Sequence, residues 1–419
     1  MDKNTKQVYS TLKIDDNQLQ ILTAEYYNTR FNVINTFVCP LDGIFDYKIA
    51  DKELVIDTIR KAVDTISIKI GARLEKVVLV LPPFNFKRIS LRVSVVPNGG
   101  IVKKSDIARA LTNSLKTKVG DDLLVINTQI IKYTVNGIAT RRLPENEVCE
   151  ELIVDIDLLC ADKDMTYAYV DAVSESGLEI LDLSLSNYAI AKESILLNNS
   201  INQNIIMLDI GNNFTYLSLL SKGKIISNEI IYDGLISMIN KVYEQIHIPI
   251  NTISRLIKYN VDYKEYRRDD AIFAWNDEKG SYSITVSELS DLVKEPLDNY
   301  IEKIVTMCKP ILEKGASFCL CGEGSNMSAL IEKLKEETNC EIKTYYPDTI
   351  GVRNTNLCAV YGALYVYKDK VDINNLNVNC VNMSEYDKTL DKIDVDIEGE
   401  SITSKIKNLF EMYKDREDI

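Results

Sequence analysis

The sequence predicts an α/β protein of two lobes, each opened by a β-hairpin. Three observations carry that expectation. A chain of 419 residues is longer than one hydrophobic core usually serves, and 46% apolar side chains are enough to fill more than one. Runs of period-two alternation separated by short turns mark antiparallel strands, and they lead into segments of helical period and then into fully apolar strands. Near the middle stands Ile205-Ile206-Met207-Leu208-Asp209-Ile210-Gly211-Asn212-Asn213-Phe214-Thr215, a strand-length apolar run closed by Asp-Ile-Gly, after which Tyr216-Leu217-Ser218-Leu219-Leu220 resumes as a second strand. A glycine at such a bend lets backbone N–H groups face an anion, and the aspartate beside it can hold a hydrated magnesium ion.

Residues 9–14, 18–26 and 30–39 predict an antiparallel meander whose first turn is Asp15-Asp16-Asn17. Over 51–71, Leu54, Ile56, Ile59, Ala62, Val63 and Ile66 share one side of an amphipathic helix, and 76–81 is a buried strand closed by Pro82-Pro83. From Phe84 the texture changes. Alternation over 89–96, a turn at Asn98-Gly99-Gly100, a helix over 105–115 and strands over 123–135 and 149–160 predict a small β/α unit inserted at 84–163. The lobe resumes with 167–173 and a helix over 187–197, so that 1–83 and 164–202 make the first lobe.

Beyond the central hairpin, Gly223-Lys224 turns into a third strand at 225–231, and Asp233-Gly234 launches a helix over 235–245. A helix-rich region, 236–312, is broken by the charged stretch 263–270 and the hairpin-like 275–282. Residues 317–321 are a buried strand ending in Gly322-Glu323-Gly324-Ser325, ahead of a helix over 329–337. A glycine turn between strand and helix suits a nucleotide's phosphate or base, and equally a merely tight turn. The second lobe thus spans 203–235 and 313–372, with 236–312 as its small helical subdomain.

Residues 373–400 are polar and acidic, and predict a disordered linker too poor in apolar residues to fold alone. Residues 401–414 then place Ile402, Ile406, Leu409, Phe410 and Tyr413 on one helical face flanked by Lys405, Lys407 and Lys414, the pattern of a helix lying in a membrane interface. The other reading is a terminal helix docked on the protein's own body.

A net charge of −13 without a basic cluster argues against nucleic acid as a partner. No apolar run approaches ~20 residues and no signal-type segment opens the chain, so a cytosolic protein is expected. The nine scattered cysteines read as reduced, packed thiols, and no cluster points to a metal site. His247, the only histidine, lies between Ile246 and Ile248, which suggests packing rather than catalysis.

Two hairpins with carboxylate-bearing turns, one per half, and a glycine turn late in the second half resemble the actin-fold ATPase superfamily, and within it the FtsA family of bacterial cell-division proteins. Asp209-Ile210-Gly211 followed by Thr215 resembles the family's second phosphate hairpin. Leu320-Cys321-Gly322-Glu323-Gly324-Ser325 resembles its adenosine loop, and Pro347-Asp348-Thr349-Ile350-Gly351 with Ala359-Val360-Tyr361-Gly362 its closing segment. The insertion lies where FtsA, unlike actin, carries an extra subdomain. The resemblance covers nearly the whole chain. It implies an actin-like two-lobed fold with an FtsA-type inserted subdomain in the first lobe and a C-terminal amphipathic helix, closing on ATP with Mg2+ by a hairpin from each lobe.

The likeness departs at the chemistry. The family's first hairpin reads Asp-apolar-Gly-Thr, and the same register here is Lys13-Ile14-Asp15-Asp16, followed by Asn17. Its second-hairpin glycines are Asn212 and Asn213, its first threonine Phe214 and its aspartate Tyr216. Its later paired glycines are Asp233-Gly234, its ribose-contacting helix segment is Arg255-Leu256-Ile257-Lys258 with only the lysine kept, and Glu323 replaces a glycine of the adenosine loop. The nucleotide residues so implied are Lys13, Asp15, Asp16, Asn17, Asp209, Gly211, Asn212, Asn213, Thr215, Gly234, Lys258, Gly322, Glu323, Gly324 and Ser325, with no catalytic residue among them. Carboxylates beside a triphosphate repel it by about 1–4 kcal/mol per close pair. ATP is therefore expected at most as a structural clamp, with hydrolysis weak or lost.

The resemblance also implies partners: the FtsZ C-terminal tail gripped by 236–312, further copies of the chain in actin-like association, and the inner face of the cytoplasmic membrane at the division site. Lys258, Arg267 and Arg268 are cations available to a partly acidic tail, whereas a family arginine falls on Pro296. Two alternatives stand beside this reading. One is a scaffold of the PilM type from type IV pilus machines, which shares the insertion; the other is an active actin-fold ATPase or kinase, which Lys13 opposes.

Overall fold

Two five-stranded sheets of the same plan organise the chain, each an antiparallel meander of three strands extended by two parallel ones. The computed structural model describes residues 6–15, 18–263, 270–277 and 280–398. In the first sheet β1 (Gln7–Ile14), β2 (Gln18–Tyr27) and β3 (Arg30–Pro40) form the meander, with β1 buried along its whole length and β2 buried from Leu19 to Ala24. After the two-residue strands β4 (Ile44–Phe45) and β5 (Lys48–Ile49), Asp51 caps α1 (Lys52–Ile70) by accepting the Leu54 N–H at 3.1 Å, and Gly71 ends it in the left-handed region. β6 (Lys76–Leu81) returns parallel to β1.

The inserted unit follows. β7 (Lys87–Val95), β8 (Leu123–Val135), β9 (Ile138–Thr140) and β10 (Leu152–Asp162) make a sheet ordered β7-β10-β8-β9, and α2 (Lys104–Ser114) packs on its apolar face. α3 (Lys163–Glu175) leads back to β11 (Glu179–Leu185), which completes the first sheet. α4 (Ser186–Glu193) and the single turn α5 (Leu196–Asn199) are separated at Ile195, whose φ is +61°.

The second sheet repeats the plan with β12 (Asn204–Ile210), β13 (Thr215–Ser221) and β14 (Lys224–Ile231). A small unit comprises α6 (Ile236–Ile246), α7 (Ile250–Asn260), the hairpin β15 (Ala271–Asp277) and β16 (Gly280–Thr285), and α8 (Val286–Leu312). β17 (Ala316–Cys321), α9 (Ser328–Thr338) and β18 (Ile342–Thr344) finish the sheet in the order β14-β13-β12-β17-β18. α10 (Cys358–Asn374) then crosses α4 so closely that a Cβ on Gly362 would stand 2.2 Å from the Ala189 carbonyl oxygen, and only glycine permits that approach.

Several expectations need correction. Residues 167–173 belong to α3, the strand over 179–185 was not anticipated, and 187–197 is two helices. The stretch 373–400 is not a free linker over its described part. Cys380 and Val381 are buried, the Cys380 N–H donates to the Val8 carbonyl at 2.8 Å, and the Cys380 carbonyl accepts from Glu75 and Lys76. α11 (Met383–Glu398) follows, with Tyr386 buried and the Thr389 hydroxyl donating to the Gly71 carbonyl at 2.8 Å. Met383, Tyr386 and Leu390 recur at helical spacing, so a stretch of polar average composition still carries a sticky side. His247 is exposed at the end of α6, its ring 5.6 Å from that of Tyr243, rather than packed. Asp16, Asn17, Arg267, Arg268 and the expected helix at 401–414 lie outside the described residues. Among the described residues, no helix is long and apolar enough to cross a membrane.

Candidate nucleotide cleft

The tips of β1–β2 and β12–β13 face one another between the lobes, with the turn after β17 closing the third side. Lys13, Asp15, Asp209, Gly211, Asn212 and Asn213 line this space together with Gly322 and Glu323. Thr215, Gly234, Gly324 and Ser325 do not reach it. Thr215 is fully buried, its hydroxyl donating to the Asp233 carbonyl at 3.0 Å and paired with the Tyr300 hydroxyl at 2.6 Å. Ser325 donates to the Gly322 carbonyl at 2.8 Å and so shapes the turn from behind. At Gly322 φ is +82°, and a Cβ there would meet an Asp209 carboxylate oxygen at 2.5 Å, which is why this corner takes glycine.

The chain's own groups occupy the cleft. Lys13 is 3% exposed and its ammonium stands 2.8 Å from the Asp15 carboxylate. Burial alone would favour the neutral amine, but Asp15 and Asp209 outweigh it and hold Lys13 protonated above its ordinary range. Asp209 is buried, and that burial pushes its carboxyl up; Lys13 pulls it back and Asp15 adds to the rise. Lys13 thus supplies a fixed cation beside Asp209.

A second polar group spans the opening. Lys258 on α7 pairs with Glu323 at 2.6 Å, both side chains only 16% exposed. The other oxygen of Glu323 accepts from the Gln18 amide at 2.5 Å and from Asn356 at 3.1 Å. Asn356 also donates to Gln18 at 2.9 Å and accepts from Gln20 at 2.9 Å. First-lobe hairpin, second-lobe turn and small subdomain are therefore joined through one carboxylate. Gln18, Gln20 and Asn356 were missed in the sequence, because amides some 340 positions apart carry no local signature.

Aromatic rings fill the remaining side. Phe214 meets Tyr47 from the first lobe with ring centroids 3.8 Å apart, and Tyr47 also meets Phe84 at 3.8 Å and Tyr216 at 6.0 Å. The start of α6, which could present N–H groups to a phosphate, is already engaged: Leu235 and Ile236 donate to the Gly211 and Asn212 carbonyls at 3.2 and 2.9 Å. The cavity left is ≈ 20 Å³, about the room of one water molecule and far below the ~300–1,000 Å³ of ligand pockets. Within the lining Lys13 faces Asp15, Asp209 and Glu323, and even with Lys258 counted through its pair with Glu323 the balance is negative. Magnesium and a triphosphate do not fit this arrangement.

No protein-family model matches the chain. It is similar to the cell division protein FtsA of Bacillus subtilis (strain 168), 20% identical over 360 residues that cover 84% of this chain and 81% of that one. FtsA of Enterococcus hirae is 20% identical over 363 residues, 84% of this chain and 82% of the relative. Among solved structures, the PilM-PilN type IV pilus biogenesis complex aligns with a TM-score of 0.57 at 12% identity, over 85% of this chain and 98% of that one. MreB5 of Spiroplasma citri, solved bound to AMPPNP and bound to ADP, aligns with a TM-score of 0.51 at 12% identity over 88% of this chain. These structures share the actin-like fold. The chain is a divergent relative of the cell-division protein FtsA, carried on an actin-like two-lobed fold.

Proposed function

We propose that this protein is an FtsA-like cell-division adaptor that self-associates like actin and tethers FtsZ filaments to the inner face of the cytoplasmic membrane, with lobe closure set by its own side chains rather than by ATP. Relatives named for cell division match it over 84% of its length, which supports the adaptor role. The observation that carries the second half is Glu323, which binds Lys258, Gln18 and Asn356 at once where the family pattern has a glycine. A nucleotide would have to break that knot and displace Phe214. The reading as an active ATPase or kinase finds no support in such a cleft.

Lys258 is committed to Glu323, so an FtsZ tail would be gripped by other parts of 236–312. The amphipathic pattern that the sequence carries over 401–414 would bind lipid weakly as a single short helix, and assembly on a filament would strengthen the attachment by engaging many copies together. The test is flotation of FtsZ with vesicles of phosphatidylglycerol and phosphatidylethanolamine, GTP being supplied for FtsZ and ATP omitted. The full chain is expected to carry FtsZ into the lipid fraction. Ending the chain after residue 400 should abolish flotation and leave FtsZ co-sedimentation intact. Flotation indifferent to the truncation would remove the anchor, and failure of the full chain to sediment with FtsZ would remove the adaptor role.

A further inference from the structure

The turn between β13 and β14 docks on the polar face of the inserted sheet. Lys224 pairs with Asp157 at 3.6 Å, the Gln129 amide donates to the Gly223 carbonyl at 2.8 Å, and Arg141 donates to the Lys222 carbonyl at 3.1 Å. Beside that dock opens a cavity of ≈ 430 Å³ on the side of the molecule built by β7, β8 and β10, apart from the cleft between the lobes.

Five cations converge on it from three parts of the chain: Arg92 and Lys132 on the sheet, Arg141 beyond β9, and Lys222 and Lys224 on the turn. Only two carboxylates share the lining. Asp155 is held by Arg92 at 3.0 Å and Lys132 at 3.4 Å, and Asp157, 1% exposed, by Lys224 and by Arg88 at 3.1 Å. Among the described residues, no carboxylate pairs with Arg141 or Lys222. The lining therefore carries three more positive than negative groups, on a chain whose net charge is −13. A concave surface concentrates such a field, and planar guanidinium groups match phosphoryl oxygens in pairs. Leu91 and Ile131 are the only large apolar residues of the lining, too few to anchor a peptide by its side chains.

We propose that this pocket binds a phosphate-bearing ligand through Arg141, Lys222 and Arg92. Two sources share that chemistry, a soluble oligophosphate and a phospholipid headgroup. The experiment is calorimetric titration of the full chain, at constant ionic strength, with inorganic pyrophosphate and separately with glycerol 3-phosphate, repeated on an Arg141→Glu/Lys222→Glu variant. Both side chains are exposed, so the variant should fold; Arg141→Gln alone serves if circular dichroism shows otherwise. At least one anion should bind, and the charge reversal should weaken it by about tenfold or more. Tighter pyrophosphate binding points to the soluble ligand, and tighter glycerol 3-phosphate binding to the headgroup. Silence with both anions, or an affinity the variant leaves unchanged, would overturn the proposal.

Discussion

Lys13, one residue before the end of β1, holds its ammonium 2.8 Å from Asp15 and within the field of Asp209, at the position where the resemblance to FtsA would place a carboxylate. A buried cation and two buried or half-buried anions hold one another in place, and removing one member leaves the others uncompensated in a poor solvent for charge. Lys13→Ala is therefore expected to lower stability by about 3–5 kcal/mol in chemical denaturation at pH 7. A loss within ~0.5 kcal/mol, the ordinary range of surface substitutions, would mean that the ammonium is not part of a closed cluster. Phe214 acts alongside it by size rather than by charge, standing against Tyr47 of the other lobe.

Between elements, α4 of the first lobe meets the segment after β18 through Glu193, whose carboxylate accepts from the Tyr345 hydroxyl at 2.7 Å. Burial pushes the Glu193 carboxyl up to about 7 from an ordinary 4.5; the Tyr345 hydrogen bond opposes this and Asp348 adds to it. The folded state then binds the proton more tightly than the unfolded chain, so this contact is most favourable below about pH 4.5 and loses its advantage as pH rises through about 7. Glu193→Gln keeps an acceptor without the charge. Thermal melts should show the variant gaining on the parent protein at pH 8 and matching it near pH 4.5; equal midpoints at pH 8 would contradict this assignment. Elements were the scale at which the sequence was most legible. The strands at 18–26 and 225–231, the amphipathic spacing over 51–71 and the apolar run before Asp209-Ile210-Gly211 are local signals, and each became the element it predicted. β11 was hidden because Glu179 and Asp182 interrupt its apolar run, and α11 because its apolar side is thin within an acidic stretch.

At the scale of the whole molecule, two copies of one sheet plan face each other across a cleft, and the residues at its rim come from both. The likeness to an actin-like fold was legible in the hairpins and the glycine turn. The closure was not. Only after folding do Gln18 and Asn356 become neighbours of Glu323, Tyr47 of Phe214, and Phe84 of Tyr47, and none belongs to a motif. The central claim is that these contacts replace ATP. Calorimetric titration of the purified full chain with Mg-ATP, with phosphate release followed in parallel, tests it most directly. Neither micromolar binding nor turnover is expected, and assembly with FtsZ should proceed without ATP. Micromolar binding would show that the cleft opens to nucleotide and that the ligand, not the side chains, sets closure; phosphate release on top of it would make the protein an ATPase.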